Sequence, residues 1–231
     1  LGDGVITFLD PDGLKLDLVA RDSGASENIH TTGEISAEHA IRGFHSASLT
    51  LEGYEATAEL ISGLLGFRKI DEERNRFRFI NDSSGFGNII DLICLPASNR
   101  GRVAGGSVHH IAFRVSTEAE QLLLREELIK AGYNITPQLD RNYFKSIYFR
   151  EPGGVLFEIA TDTPGFMVDE DREKLGLKLT LPTWLEGARS GIESALPRLT
   201  RDASLDESDY VHRYIPASES GNKNTLLLLH G

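Results

Sequence analysis

Apolar and polar positions alternate along this chain so as to mark out short strands and two amphipathic helices, which recur in the same order. Three segments share one pattern: a glycine, three residues, an acidic residue, then an aliphatic one. They are Gly13-Leu14-Lys15-Leu16-Asp17-Leu18, Gly87-Asn88-Ile89-Ile90-Asp91-Leu92 and Gly154-Val155-Leu156-Phe157-Glu158-Ile159. The first and third agree further, since Phe8-Leu9-Asp10-Pro11-Asp12-Gly13 matches Phe149-Arg150-Glu151-Pro152-Gly153-Gly154. Each reads as a strand, a tight turn set by Pro and Gly, and a returning strand. Ahead of the second and third copies runs a strand that carries histidine, Ile41 to Leu49 with His45 and Val108 to Val115 with His109 and His110. A helix follows each: residues 54–65 put Ala58, Ile61 and Leu65 on one face, and residues 118–131 do the same with Leu124, Leu128 and Ala131. Thr117 and Glu120 have capping-box spacing, and Gly66-Phe67 and Gly132-Tyr133 fit left-handed C-caps. Strands return at 68–81 and 88–95 in one copy and at 145–160 in the other.

This order predicts an α+β fold of paired βαβββ modules, one at 36–98 and one at 104–163. Residues 1–22 read as the last hairpin of a preceding module, and residues 164–200 as a connection with a short helix around Trp184–Glu193. Residues 201–231, with a turn near Ser218-Glu219-Ser220-Gly221 and a strand from Thr225 to Leu229, read as the start of a different domain. The chain opens on Leu1 and stops inside that apolar run, so it is expected to be a piece cut at both ends.

Composition narrows the function classes. With 40% hydrophobic and 26% charged residues the chain has an ordinary globular make-up. A formal net charge of −11 argues against a nucleic-acid partner, because little here would displace counterions from phosphates. No apolar run is long enough to span a bilayer, so no membrane partner is expected. The one cysteine, Cys94, sits in an apolar run and reads as a buried, inert thiol. A single cysteine forms no internal disulfide, which suits a reducing, cytoplasmic setting. A homo-oligomer is compatible with all of this.

The chemistry follows from strand parity. Ile111, Phe113 and Val115 share one face, suited to packing under the helix, and His110 and Ala112 take the other. In the last strand Phe157 and Ile159 face the helix, and Glu158 and Ala160 the concave side. His110 and Glu158 therefore project from one side, and His45 is read as holding the corresponding place in the preceding module. Two histidines and one carboxylate on a concave face match a non-haem Fe(II) ligand set. Histidines held by ordinary hydrogen bonds give the same pattern, and alternation alone leaves both readings open.

The run Tyr148-Phe149-Arg150-Glu151-Pro152-Gly153-Gly154-Val155-Leu156-Phe157-Glu158 resembles the signature of extradiol ring-cleaving dioxygenases of the vicinal-oxygen-chelate (glyoxalase-like) superfamily. Val108-His109-His110-Ile111-Ala112-Phe113 looks like the matching ligand strand. Asp140-Arg141-Asn142-Tyr143-Phe144-Lys145-Ser146-Ile147-Tyr148 is similar to the branch that cleaves hydroquinone-type rings. The resemblance implies Fe(II), with Mn, Zn or Ni as alternatives, held by His110 and Glu158. His109, Arg141 and Tyr148 would surround a small aromatic substrate that reacts with O2. The broad extradiol signature has a histidine where this chain has Leu139-Asp140-Arg141, a departure that favours the hydroquinone branch. In that branch the third ligand is expected from the first module, whereas in the broader pattern His45 would complete the set. His109 alternates away from His110 in a regular strand, so its role needs a bulge or a twist at the strand end. Rival readings are a glyoxalase-like metal-dependent isomerase or lyase and a non-catalytic binding module of the same fold. Tyr210-Val211-His212-Arg213-Tyr214, with Thr225 to Gly231, resembles the opening of an α/β-hydrolase of the small carboxylesterase type.

Overall fold

The computed structural model describes residues 1–10, 13–20, 35–82, 87–97, 101 and 107–196. The expected turn near Ser218, the strand from Thr225 and the hydrolase-like segment at 201–231 lie outside these residues. The chain divides into two units, Leu1–Val19 with Phe44–Lys178, and Ala20–Gly43 with Leu179–Gly231.

The first unit holds a hairpin and two βαβββ modules. The hairpin is β1 (Gly4–Leu9) with β2 (Lys15–Ala20). The first module runs β3 (Ser46–Leu51), α1 (Glu55–Gly63), β4 (Phe67–Glu73), β5 (Arg76–Asn81) and β6 (Ile89–Cys94), in sheet order β3-β6-β5-β4. The second runs β7 (Ile111–Val115), α2 (Glu118–Lys130), β8 (Leu139–Asp140), β9 (Lys145–Arg150) and β10 (Leu156–Thr161), in order β7-β10-β9-β8. In each module the first strand pairs parallel with the last and the remaining pairs are antiparallel. The fold is therefore α+β with repeated βαβββ modules. Among the described residues no helix is long and apolar enough to cross a membrane.

The punctuation read from the sequence is present. Thr117 and Glu120 form the capping box of α2. Gly66 and Gly132 take the left-handed backbone, at φ +72° and +93°, that ends each helix. Two strands begin later than their apolar pattern does. β3 starts at Ser46 and β7 at Ile111, because β6 and β10 supply ladder partners only from Ile89 and Phe157 onward. His45, His109 and His110 consequently stand just ahead of their strands.

The core faces of the helices also shift. In α1 the buried residues are Thr57, Leu60 and Ile61, with Ala58 and Leu65 at the margin. In α2 they are Gln121 and Leu128, while Ala131 is exposed at the C-cap. Gln121 lies inside because its amide is fully used: Nε2 donates to the carbonyls of Lys145 and Ile159, and Oε1 accepts from Gln138. Cys94 is half-buried, its thiol against the Glu52 carbonyl.

One hydrophobic cluster runs through both modules, from Leu49 and Ile61 to Phe149 and Ile159. Each such side chain contributes about 1.5–3 kcal/mol on burial. Phe67 meets Phe113 edge to face across the joint. At the same joint Glu151, in the turn between β9 and β10, is buried. It accepts hydrogen bonds from Thr57 Oγ1 of α1 and from the backbone N–H groups of Gly153 and Val155. Gly153 packs so closely that a Cβ would collide with Leu51 Cδ2 and lie 2.8 Å from Glu151 Oε1. Gly153→Ala is expected to destabilise the chain by about 1–3 kcal/mol through overpacking. Urea unfolding reads this directly, and an unchanged midpoint would show that the joint yields.

In the second unit, the expected helix around Trp184–Glu193 is a 3₁₀ segment, Thr183–Ala188, followed by α3 (Arg189–Ala195). Arg189 joins them through Glu186 and Glu193.

Candidate metal and substrate site

The second module gathers its polar side chains on the concave face of β9 and β10. Glu158 lies opposite Tyr148 on β9 and Ala112 on β7, and is 3% exposed. A carboxylate this enclosed needs donors. Its Oε1 accepts from the Tyr148 hydroxyl at 2.7 Å and from Ser146 Oγ. Oε2 faces His110 Nε2 at 2.6 Å. The division matters: two hydroxyls occupy one oxygen and leave the other directed at the imidazole.

His110 is one-third exposed and packs edge to face on the Tyr148 ring. Its Nδ1 meets Nδ1 of the exposed His109 at 2.9 Å, so one ring donates a proton and the other accepts it. Because both residues precede β7, neither is bound by strand alternation, and their rings turn toward each other.

Arg141 reaches the same place from another direction. Its guanidinium carbon lies 5.4 Å from the centroid of the Tyr148 ring, and the residue is otherwise exposed. The loop that carries it is shaped locally. Asp140 accepts from Lys145 Nζ at 2.7 Å and from the Asn142 N–H at 2.8 Å, and these donors hold its carboxyl below the usual range. Asn142 takes φ +65° to close the turn. Tyr143 stacks on Phe166 and donates to Asp169, and burial followed by that hydrogen bond raises its phenol above the usual value.

The structure thus brings His110, Glu158 and Tyr148 into direct contact, with His109 and Arg141 at the rim. Ser146, fully buried against Glu158, is the site residue that sequence reasoning missed. Its signal was available, because Ser146 and Tyr148 stand two apart on one strand and so share a face.

The first module has the same frame with other occupants. Asp91 takes the place of Glu158, and Arg76 and Arg78 take those of Ser146 and Tyr148. Both guanidinium groups bond Asp91, and Arg78 reaches Asp3 as well. Asp91 pairs with Ser48 as Glu158 pairs with Ala112, so the residue matching His110 is Ser46. His45 corresponds to His109 instead, which corrects the equivalence expected from sequence. Among the described residues no three His, Cys, Asp or Glu side chains gather as a metal-holding group, so His45 does not join His110 and Glu158.

Residues 37–159 match the profile of the glyoxalase/bleomycin resistance protein/dioxygenase superfamily. The chain is 42% identical over 195 residues to MhqO of Bacillus subtilis (strain 168), a protein assigned as a ring-cleaving dioxygenase, covering 84% of this chain and 62% of that one. It is 31% identical over 192 residues to the chlorohydroquinone/hydroquinone 1,2-dioxygenase of Sphingobium indicum, covering 81% and 60%. A crystal structure of a protein assigned as a dioxygenase, from Bacillus subtilis subsp. subtilis str. 168, superposes with a TM-score of 0.80 at 42% identity, covering 85% of this chain and 63% of that one. The chain spans about three fifths of the length of these relatives.

Proposed function

Because the chain belongs to the glyoxalase/bleomycin resistance protein/dioxygenase superfamily, we propose that it carries the catalytic side chains of an Fe(II)-dependent dioxygenase that opens hydroquinone-type rings with O2. The observation behind this reading is the contact of His110 Nε2 with Glu158 Oε2 at 2.6 Å, beside Tyr148, which bonds the same carboxylate and lies next to Arg141. Similarity to ring-cleaving dioxygenases, one of them named for hydroquinone, supports the reaction class.

The donor set fits the metal in part. Two ligand atoms at right angles on a metal, each at about 2.1 Å, lie roughly 3 Å apart. The His110–Glu158 pair needs to open only slightly to reach that spacing. His110 and Glu158 would then hold two positions, with Fe(II) preferred and Mn, Zn or Ni as alternatives. Fe(II), when bound, supplies coordination sites for substrate oxygen and O2 and the redox capacity that the side chains lack.

The chain's own residues do the rest. Ser146 and Tyr148 pin Glu158 Oε1, so that Oε2 alone is presented. His109 would help to hold the ring of His110 through Nδ1. Arg141 carries a permanent planar charge and would draw a phenolate over Tyr148. Tyr148 holds its hydroxyl proton against Glu158, where a substrate oxygen could share it.

With two protein ligands the chain is expected to hold Fe(II) weakly and to consume O2 slowly. Anaerobic reconstitution followed by oxygen-electrode measurements tests the proposal. Uptake with hydroquinone should exceed uptake with catechol, and Arg141→Met should raise KM more than it lowers kcat. Preference for catechol, or oxygen uptake indifferent to His110→Ala, would remove the proposal.

A further inference from the structure

The two modules differ in how they join the outer two strands of the sheet. Between β4 and β5 the chain turns in Arg74-Asn75 alone. Asn75 fastens that turn to the end of β6: its Nδ2 donates to the Cys94 carbonyl, and its own carbonyl accepts from the Cys94 N–H. Between β8 and β9 the loop is longer, Arg141-Asn142-Tyr143-Phe144, and Arg141 stands at its start. The longer loop has more conformational freedom to lose, so its shape needs fixing from outside.

The chain that follows β10 does this at both ends of the loop. At its foot the buried Thr161 uses one hydroxyl twice, accepting from the Lys145 N–H and donating to the Thr163 carbonyl. At its tip the Gly165 N–H donates to the Tyr143 carbonyl at 2.8 Å. Gly165 takes φ +90°, a backbone that favours glycine, and the chain there brings Phe166 against the loop. The Phe166 ring stacks on Tyr143, with centroids 5.1 Å and planes 27° apart, and tilts against Phe144. Asp169 accepts from the Tyr143 hydroxyl at 3.0 Å. Phe166 is 61% exposed, so its contacts serve this loop more than the core.

We infer that Phe166 and Asp169 are positioning residues: they hold Tyr143, and through it the loop that sets the Arg141 guanidinium beside the Tyr148 ring. The link to Arg141 is short. Its carbonyl accepts from the Tyr143 N–H at 2.8 Å and its N–H donates to the Phe144 carbonyl at 2.9 Å, so a shift of either aromatic residue moves the Arg141 backbone. Displacing a group that orients a reactant by about 1 Å can cost about a hundredfold in rate. The effect on substrate rests on the proposed role of Arg141 in drawing a phenolate, whereas the hold on the loop does not.

The test compares Phe166→Ala/Asp169→Ala with Phe166→Tyr/Asp169→Asn, which keeps a ring and an acceptor. In the alanine pair, amide hydrogen exchange at Arg141, Tyr143 and Gly165 is expected to quicken at least tenfold, with exchange in β9 and β10 unchanged. This readout needs neither iron nor turnover. In the Fe(II)-loaded chain the KM for hydroquinone should rise at least threefold while kcat changes less than twofold, and the conservative pair should restore both values. Added to Arg141→Met, the alanine pair should raise KM no further, since both act through one guanidinium. Unchanged exchange at Arg141 and Tyr143 would overturn the inference, as would a rise in KM that adds to that of Arg141→Met. Faster exchange throughout β9 and β10 would also overturn it, because the segment would then support the sheet. Faster exchange in the loop alone, with Arg141→Met leaving KM unchanged, would uphold the positioning and remove the proposed substrate role of Arg141.

Discussion

Asp91→Asn is expected to destabilise the chain by about 3–5 kcal/mol, because it leaves a buried guanidinium without its counter-charge. Arg78 is 8% exposed and gives Asp91 two hydrogen bonds, at 2.8 and 2.9 Å. Those bonds, more than any other influence, push the Arg78 guanidinium pKa above its usual value. Asp3 keeps one contact with Arg78 in the variant, which draws the loss toward the lower end of that range. Arg78→Met in the same chain should restore most of the stability, since an apolar side chain there needs no charge beside it. Chemical denaturation of the two single variants and the double variant measures the coupling. A loss below 1 kcal/mol for Asp91→Asn would mean that water reaches the pair and that the centre of the first module is not a structural ion pair.

Glu158→Gln should behave in the opposite way. The amide oxygen can still accept from Tyr148 and Ser146, and the amide nitrogen can donate to His110 Nε2 once that ring carries its proton on Nδ1. The fold is therefore expected to change by no more than about 1 kcal/mol. Metal affinity is expected to fall at least a hundredfold, since loss of a group that only supports a ligand already costs about 10–100-fold. Competition with a coloured chelator under nitrogen reads the affinity, and circular dichroism verifies the fold. Retention of Fe(II) by Glu158→Gln would remove Glu158 from the ligand set. The same backbone position in two modules is thus expected to give a stability effect in one and a binding effect in the other.

Much of this was legible before the structure. The helices, their caps and the hairpin turns are local, and Thr117, Glu120, Gly66 and Gly132 carry their signals in a few adjacent residues. The parity that turns Ser146, Tyr148 and Glu158 to one side also needs only the pattern of a strand, whereas His110 stands ahead of β7 and meets Glu158 without it. What was hidden depends on groups distant along the chain. Thr57 and Gln121 look like surface residues until Glu151 and the carbonyls of Lys145 and Ile159 are placed against them. The strand starts at Ser46 and Ile111 depend on where β6 and β10 begin, which no apolar run around His45 or His110 records. The false equivalence of His45 with His110 has the same origin, since strand register rather than motif order decides which residue faces the acid.

The Glu151–Thr57 joint has a consequence for inheritance of defects. A carboxylate from one module that is buried on a hydroxyl from the other, beside a hydrophobic cluster drawn from both, couples their folding. If the second module binds metal as proposed, that binding would also stabilise the first, and damage to the first would drain occupancy from the second, because ligand favours only the folded chain. A substitution at Leu60 or Phe79, both in the first module, would then register in an assay as poor iron loading. Excess metal should rescue such a variant, whereas it should not rescue one that has lost a side chain able to hold the ion.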